Sequence, residues 1–487
     1  MKKSVFFLIT FCFFYTIKAQ EYDFFNDKGE LKSIYKDADS ILDEKYLLYT
    51  KEYTDIDSAL SAKVPVFRLN LSSNNLGEIP EGVFELLDLQ MLNLSDNKIR
   101  EIPSNISQLR YLRYLSLNTN LVSKISPQIG ALKFLIMLDL ENNFLEKLPP
   151  EIGELTSLQN LLIGGNNLKN LPNTLGNLSS LMNISAWGNQ LESLPENFGN
   201  LISLQNLDLS HNALKSLPSS FSNLNFLIIC KLSYNKFVIF PNELCTMENL
   251  AYVDISHNLI RQIPDDINKM SRLQMLDLSY NSLSDLPKSF GKIPFLQQLY
   301  LKHNNFTYVP RALQKLGSLR ILDISENQLQ QLPSFIDNFL FLQQLYLSKN
   351  YISSLTDNFG NLAALNILDL SNNQLDRLPD SFSQLQNLEI LNLAHNMFNK
   401  IPEQIFSLSK LKDLNISQNN ISKIPPEISR LTNLERLDLS SNMLTSLPIS
   451  AIQKLPLLKT LILTGNPFNS DYISLLKEQL PNVVIVF

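Results

Sequence analysis

Hydrophobic and polar positions recur along most of the chain with a period of 23 residues. Written in rows from Val66, the columns align without a gap as far as the row that begins at Leu434, which has 24 residues, and an eighteenth row begins at Leu458. The first row is VFRLNLSSNNLGEIPEGVFELLD, and the common form is LxxLxLxxNxLxxLPxxIxxLxx. Alternation at columns four to six, as in Leu207, Asp208 and Leu209, is the period of a short strand with one face buried. Further along the same row, Leu214, Leu217, Phe221 and Leu224 carry the chain back across the outside and are buried there. One row cannot hide its own apolar edge, so the rows must stack, giving a parallel sheet inside a solenoid.

Two columns punctuate the row. The ninth is Asn in all eighteen rows, from Asn74 and Asn97 to Asn442 and Asn466. Where each strand bends outward, backbone groups turn inward, and an amide with both donor and acceptor can satisfy them; a carboxylate has no donor to offer. Pro fills column fifteen in fifteen of the seventeen full rows, the exceptions being Ser126 and Thr356, fixing φ where no ladder bond is needed. This pattern resembles the leucine-rich repeat family in its 23-residue form, over nearly all of the chain beyond the leader described below. The resemblance implies an α/β solenoid: a horseshoe with a parallel concave sheet of about 18 to 19 short strands, and short helical, 3-10 or irregular segments on the convex side.

The ends read as covers for exposed strand edges. Residues 20–65 form a lead-in and cap, in which ADSILDEKYLLYTKEY looks helical and TDIDSALSAKVP a short helix with Thr54 as N-cap. The array runs over 66–465. Residues 466–487 close it with a helix presenting Ile473, Leu476 and Leu480 on one face, followed by VVIVF, with Val483 and Val486 at the first and fourth columns of an incomplete strand. MKKSVFFLITFCFFYTIKA, residues 1–19, has the layout of a secretory signal peptide, and its apolar run is short of the ~20 residues needed to span a bilayer. The expected mature chain is therefore exported (periplasmic, cell-surface or secreted) and carries no membrane span. Relatives with the same row form that scaffold Ras-type signalling inside cells lack such a leader; the leader and the absence of cysteine-rich caps point to an exported bacterial protein.

Charge narrows the partner. The formal charge is −6, and it becomes −9 when Lys2, Lys3 and Lys18 leave with the leader. Nucleic acid is a poor ligand for such a chain. Cys230 and Cys245 are too few for a disulfide framework, and Cys230 falls at a core column.

Columns two, three, five, seven and eight project from the sheet and are free to meet a partner. All four histidines, His211, His257, His303 and His395, fall in column eight. Two rows apart means roughly 10 Å, too far for one zinc to hold two of them, so no metal and no cofactor is expected. Asp254 and Asp277 share column five on consecutive rows, about 5 Å apart, a spacing compatible with a hydrolase, but no lid or pocket wall is present to desolvate either acid. Aromatic residues carry more weight. Trp187 stands in column seven, among Gly164, Gly165 and Gly188, which would leave its ring uncovered. Tyr234 and Tyr280 alternate with His211, His257 and His303 in column eight, Tyr300 and Tyr346 replace acids in column five, and Tyr252 fills column three. Large rings on one face suit a protein partner. The reading is a non-enzymatic scaffold binding a protein through these nine residues on the concave face; the alternative is an envelope glycan stacked on Trp187 and the tyrosines.

Overall fold

The computed structural model describes residues 31–33, 36 and 41–487. The leader and the start of the lead-in lie outside them. The described residues form two compact units, one of residues up to 213 with 218–226, the other of 214–217 with 227–487. In the first, eight sheet strands run from Glu52–Tyr53 through Arg68–Asn70 to Asn206–Asp208. In the second, twelve run from Ile229–Lys231 to Val484–Val486. Within each unit the pairing is parallel and shifted by one row, Leu69 opposite Leu92 and Val253 opposite Leu276. Each repeat strand covers columns three to five. Its fourth-column residue is buried and its neighbours are mostly half-buried, the alternation expected of a strand with one covered face.

The return path is a short 3-10 turn over columns sixteen to twenty. Pro218, at φ −67° and ψ 151°, sets the entry to Ser219–Asn223, and its carbonyl accepts from the Phe221 amide at 2.9 Å. Where Thr356 replaces Pro, the turn shrinks to Phe359–Asn361 and the Thr356 hydroxyl donates to Asp337 instead. The leucine, isoleucine and phenylalanine columns fill the space between sheet and turns. Phe198 on Phe221 and Phe359 on Phe382 stack with rings 5.9 Å and 6.1 Å apart. Each such fully buried side chain contributes about 1.5–3 kcal/mol.

The asparagine column does what its chemistry demands. Asn281 donates from Nδ2 to the carbonyls of Ile255, Leu278 and Ser279 at 3.1, 3.1 and 3.2 Å, and its Oδ1 accepts from the Ile260 amide at 2.9 Å. Asn143 repeats the set in the first unit with Leu117, Leu140, Glu141 and Val122. One side chain thus ties each row to the row before it.

The ends depart from the sequence reading. Among the described residues the stretch read as a helix ending in KEY is helical only over Glu44–Leu47; the KEY contains the strand Glu52–Tyr53, which pairs with Arg68 and Leu69 and opens the sheet one strand earlier. The next helix, Ile56–Leu60, is capped by Asp55, whose carboxylate accepts from the Ser58 amide at 2.7 Å, and not by Thr54. At the far end, helix Ser470–Gln479 buries Leu476 with Leu480 after it. The last strand places Ile485, not Val486, opposite Leu461 in the fourth column. An all-apolar run such as VVIVF carries no alternation to fix its register.

Replacing Asn281 by Asp should set a carboxylate against three carbonyls. Urea unfolding at neutral pH is expected to show a loss of about 3 kcal/mol or more, as for an uncompensated buried charge. A loss under about 0.5 kcal/mol would mean that the amide is not what joins the rows.

Candidate functional site

The projecting face is built on two local backbone rules. The first concerns column five. In all eleven rows that carry Asp or Asn there, the side-chain oxygen accepts the backbone N–H two residues on, from Asn70 with Ser72 to Asp438 with Ser440. This is an Asx turn that caps the strand's exit. It accounts for Asp208, whose Oδ1 takes the Ser210 amide at 3.0 Å and hydroxyl at 2.6 Å. It also engages Asp254 and Asp277, whose Oδ1 atoms accept from Ser256 and Ser279. The pair stand opposite each other in register, with those oxygens committed to the fold.

The second rule concerns column eight. Every residue in it, from Ser73 to Gly465, has φ between +51° and +76°. This left-handed region suits Gly, Asn and Asp; a bulky side chain there costs about 1–2 kcal/mol. Tyr234, His257, Tyr280 and His303 occupy it in consecutive rows of the second unit. Their rings stack in one pile, with centroids 3.9, 4.1 and 4.6 Å apart and planes 9°, 10° and 21° from parallel. The inner two, His257 and Tyr280, have a ring against each face. They present only edges and offer no flat surface to a sugar.

The pile ends in a charged knot that the sequence reading missed. Glu326, the next residue of the column, meets His303 Nδ1 at 3.0 Å, Lys349 Nζ at 2.9 Å and Lys302 Nζ at 3.4 Å. Burial alone would push this carboxyl up, but the hydrogen bonds from Lys349 and His303 and the charges of both lysines outweigh it and bring it down to about 2. Lys302 also lies 5.7 Å from the Tyr280 ring centroid. The column spacing that marked the histidines contained this signal, since Glu326 and Lys349 simply continue it.

Tyr300 and Tyr346 sit at column five on either side of Asp323. Their rows lack the Asx cap, and each phenol donates to the glutamine two residues earlier, Gln298 and Gln344. Burial, with Asp277 adding to it, pushes the Tyr300 phenol up to about 12, so it remains a donor. Tyr252, at column three, donates to Gln274 at 3.1 Å. The second unit therefore brings seven of the nine predicted residues onto one face.

The other two lie in the first unit. His211 is exposed in column eight, at φ +56°. Trp187 is not uncovered as its glycine neighbours suggested. Its indole lies over Gly164, where a Cβ would come within 2.3 Å of Nε1, and that nitrogen donates to Glu141 at 3.1 Å. Ser185 donates to the same carboxylate. Burial raises the Glu141 pKa, and Asp139 and Asp208 add to the rise. The glycines make room for the ring to lie down.

The lead-in also uses this face. Leu42 and Leu47 pack on Phe67, Met91 and Tyr114, at columns two and three of the first three rows. Arg68 donates to the carbonyls of Leu48 and Thr50, and Tyr114 pairs with Glu44. Among the described residues no three of His, Cys, Asp and Glu are grouped to hold a metal ion, and no helix is long and apolar enough to cross a membrane.

The chain matches a family model described as leucine rich repeat over residues 66–122, 248–306, 287–329, 341–398, 387–429 and 409–468. Models of a leucine-rich repeat region and of a single repeat match 105–192 and 203–224. Among solved structures it is similar to a leucine-rich repeat protein of Leptospira interrogans, at 31% identity over 90% of this chain and 100% of that one, with a TM-score of 0.70. It is similar to the Arabidopsis receptor kinase HAESA, solved with a peptide hormone and a co-receptor, at 26% identity over 88% and 83%, with a TM-score of 0.61. An internalin of Listeria monocytogenes, at 23% identity over 69% and 82% and a TM-score of 0.50, shares the fold. No curated protein sequence matches.

Two outcomes follow from the pile and its knot. Tyr280→Ala keeps the left-handed backbone and loses the stacking, so chemical denaturation should show a loss of about 1–2 kcal/mol, whereas Tyr280→Gly regains the backbone term and should stay within about 1 kcal/mol of wild type. Equal losses for both would show that the backbone is not strained there. Because Glu326 is lowered in the folded chain, its contribution is complete above pH 4.5 and fades as pH falls towards about 2. Glu326→Gln should flatten the stability profile in that window; an unchanged slope would remove the knot from the energetics.

Proposed function

The chain belongs to the leucine-rich repeat family, and on that premise we propose that it is a non-enzymatic, exported protein-binding scaffold whose partner docks on rows eight to thirteen. The observation that carries this reading is that the second unit gathers, in neighbouring rows, side chains that suit neither column's backbone. Rings fill the column that favours small residues, and tyrosines replace the capping acid at 300 and 346. Rings and tyrosines gathered in these positions cost local stability, as functional sites do. Ring edges, phenols and imidazoles suit the polar and apolar mixture of a protein surface. Structural relatives solved with peptide ligands are consistent with the same use of the fold. Residues 1–19 supply the export signal in this reading.

The test is capture from envelope and culture medium by the chain starting at Gln20. Its control restores the repeat with Tyr234→Gly, Tyr280→Gly and Tyr300→Asp. This variant should fold at least as well and retain less than about a tenth of the captured partner, the loss expected when central aromatic anchors go. Equal capture would refute the site. In the same fractions the native protein should lack residues 1–19; finding it full-length in the cytoplasm would refute export.

A further inference from the structure

Columns two and three differ between the units in a way that the aromatic pile does not explain. In the first unit they hold the lead-in: Gln90 is 1% exposed, and its side-chain amide pairs with the backbone of Leu42, accepting from N at 3.1 Å and donating to O at 3.3 Å. Met91 and Tyr114, 5% and 8% exposed, receive Leu42 and Leu47. Rows five to seven are polar at column three and satisfy themselves, Asn206 donating to Asn183 and Asn183 to Asn160. In the second unit the apolar pattern returns. LQML at 89–92 recurs as LQML at 273–276, each with a column-three tyrosine on an adjacent row, Tyr114 on the row after the first and Tyr252 on the row before the second. Here Ile228 is 39% exposed, and Ile229, Tyr252, Gln274 and Met275 are half-buried. The same receptor chemistry is present with its apolar surface open to solvent.

We infer that the strip Ile228, Ile229, Tyr252, Gln274 and Met275 receives a segment of the protein partner that is chemically like residues 41–50. That segment is a short amphipathic stretch with two leucine-type side chains about five residues apart, as Leu42 and Leu47 are, its backbone held by the Gln274 amide. The Gln274 Oε1 already takes the Tyr252 hydroxyl, which leaves the amide N–H groups directed to a backbone carbonyl, as Gln90 is to Leu42. The inference rests on the partner face proposed above and adds what the partner presents to it.

The probe is an acetylated, amidated synthetic peptide of residues 41–50, ILDEKYLLYT, added to the full chain with its nine methionines methyl-labelled. The Met275 methyl resonance, assigned through Met275→Leu, should shift on titration. Tyr252→Ala and Gln274→Ala should each weaken the peptide about tenfold, and the variant carrying Tyr234→Gly, Tyr280→Gly and Tyr300→Asp should still bind it. No shift at Met275, or shifts only at Met91 and Met137 as the peptide replaces the chain's own lead-in, would overturn the assignment. Concentration-dependent self-association abolished by Tyr252→Ala would overturn it in favour of a second copy of the chain. If the variant carrying Tyr234→Gly, Tyr280→Gly and Tyr300→Asp loses partner capture while Met275 stays silent, the segment is wrong and the partner face stands. If Met275 responds while that variant captures the partner as wild type does, the partner face fails instead.

Discussion

The structure depends on satisfying the backbone where each strand turns outward. At that bend several carbonyls and an amide point into the interior, away from water, and each would cost about 1–3 kcal/mol if left unpaired. One asparagine per row meets them and reaches back to the previous row in doing so. That single contact fixes the register between rows, and the residue before it, in column eight, is left-handed in every row whatever its side chain. The hydrophobic columns supply most of the energy, but they would tolerate slippage that the amide does not.

A frame so uniform makes departures from it informative. Because the backbone at columns five and eight is the same in every row, a side chain that fits poorly there is held by something other than the row's own geometry. In the second unit the poor fits are neighbours: four stacked rings at the left-handed column, two tyrosines in place of capping acids, and a carboxylate gripped by three basic groups. The first unit has a different logic. Trp187 is laid down on Glu141, and the face beside the first rows is covered by the chain's own lead-in. The protein thus displays on itself how a leucine-bearing segment sits on such a face.

Most of the architecture was legible in the residues, because a repeat states its own rules many times. The strand columns, the asparagine role, the proline entry to each turn and the packing of Leu476 and Leu480 all follow from period and side-chain chemistry. What escaped was what a column pattern does not encode. The Asx cap was present as a recurring Asp-x-Ser, and it explains acids that first suggested catalysis. The sign of φ at column eight has no signature when histidine and tyrosine stand there, and neither do the collapse of Trp187 onto Glu141 or the path of the lead-in. Those are set by tertiary contacts. Asp55 displaced Thr54 as N-cap because its carboxylate reaches the Ser58 amide, and the register of VVIVF was fixed by Lys459 and Leu463.

The central claim is that the rows carrying the stacked rings Tyr234 to His303 and the column-five tyrosines are the rows that bind. Amide hydrogen exchange on the full chain, free and with its captured partner, measures this row by row. The account predicts added protection in residues 228–351 and none in the polar rows around Asn160, Asn183 and Asn206. Protection that falls in those polar rows, or spreads evenly over every row, would contradict it.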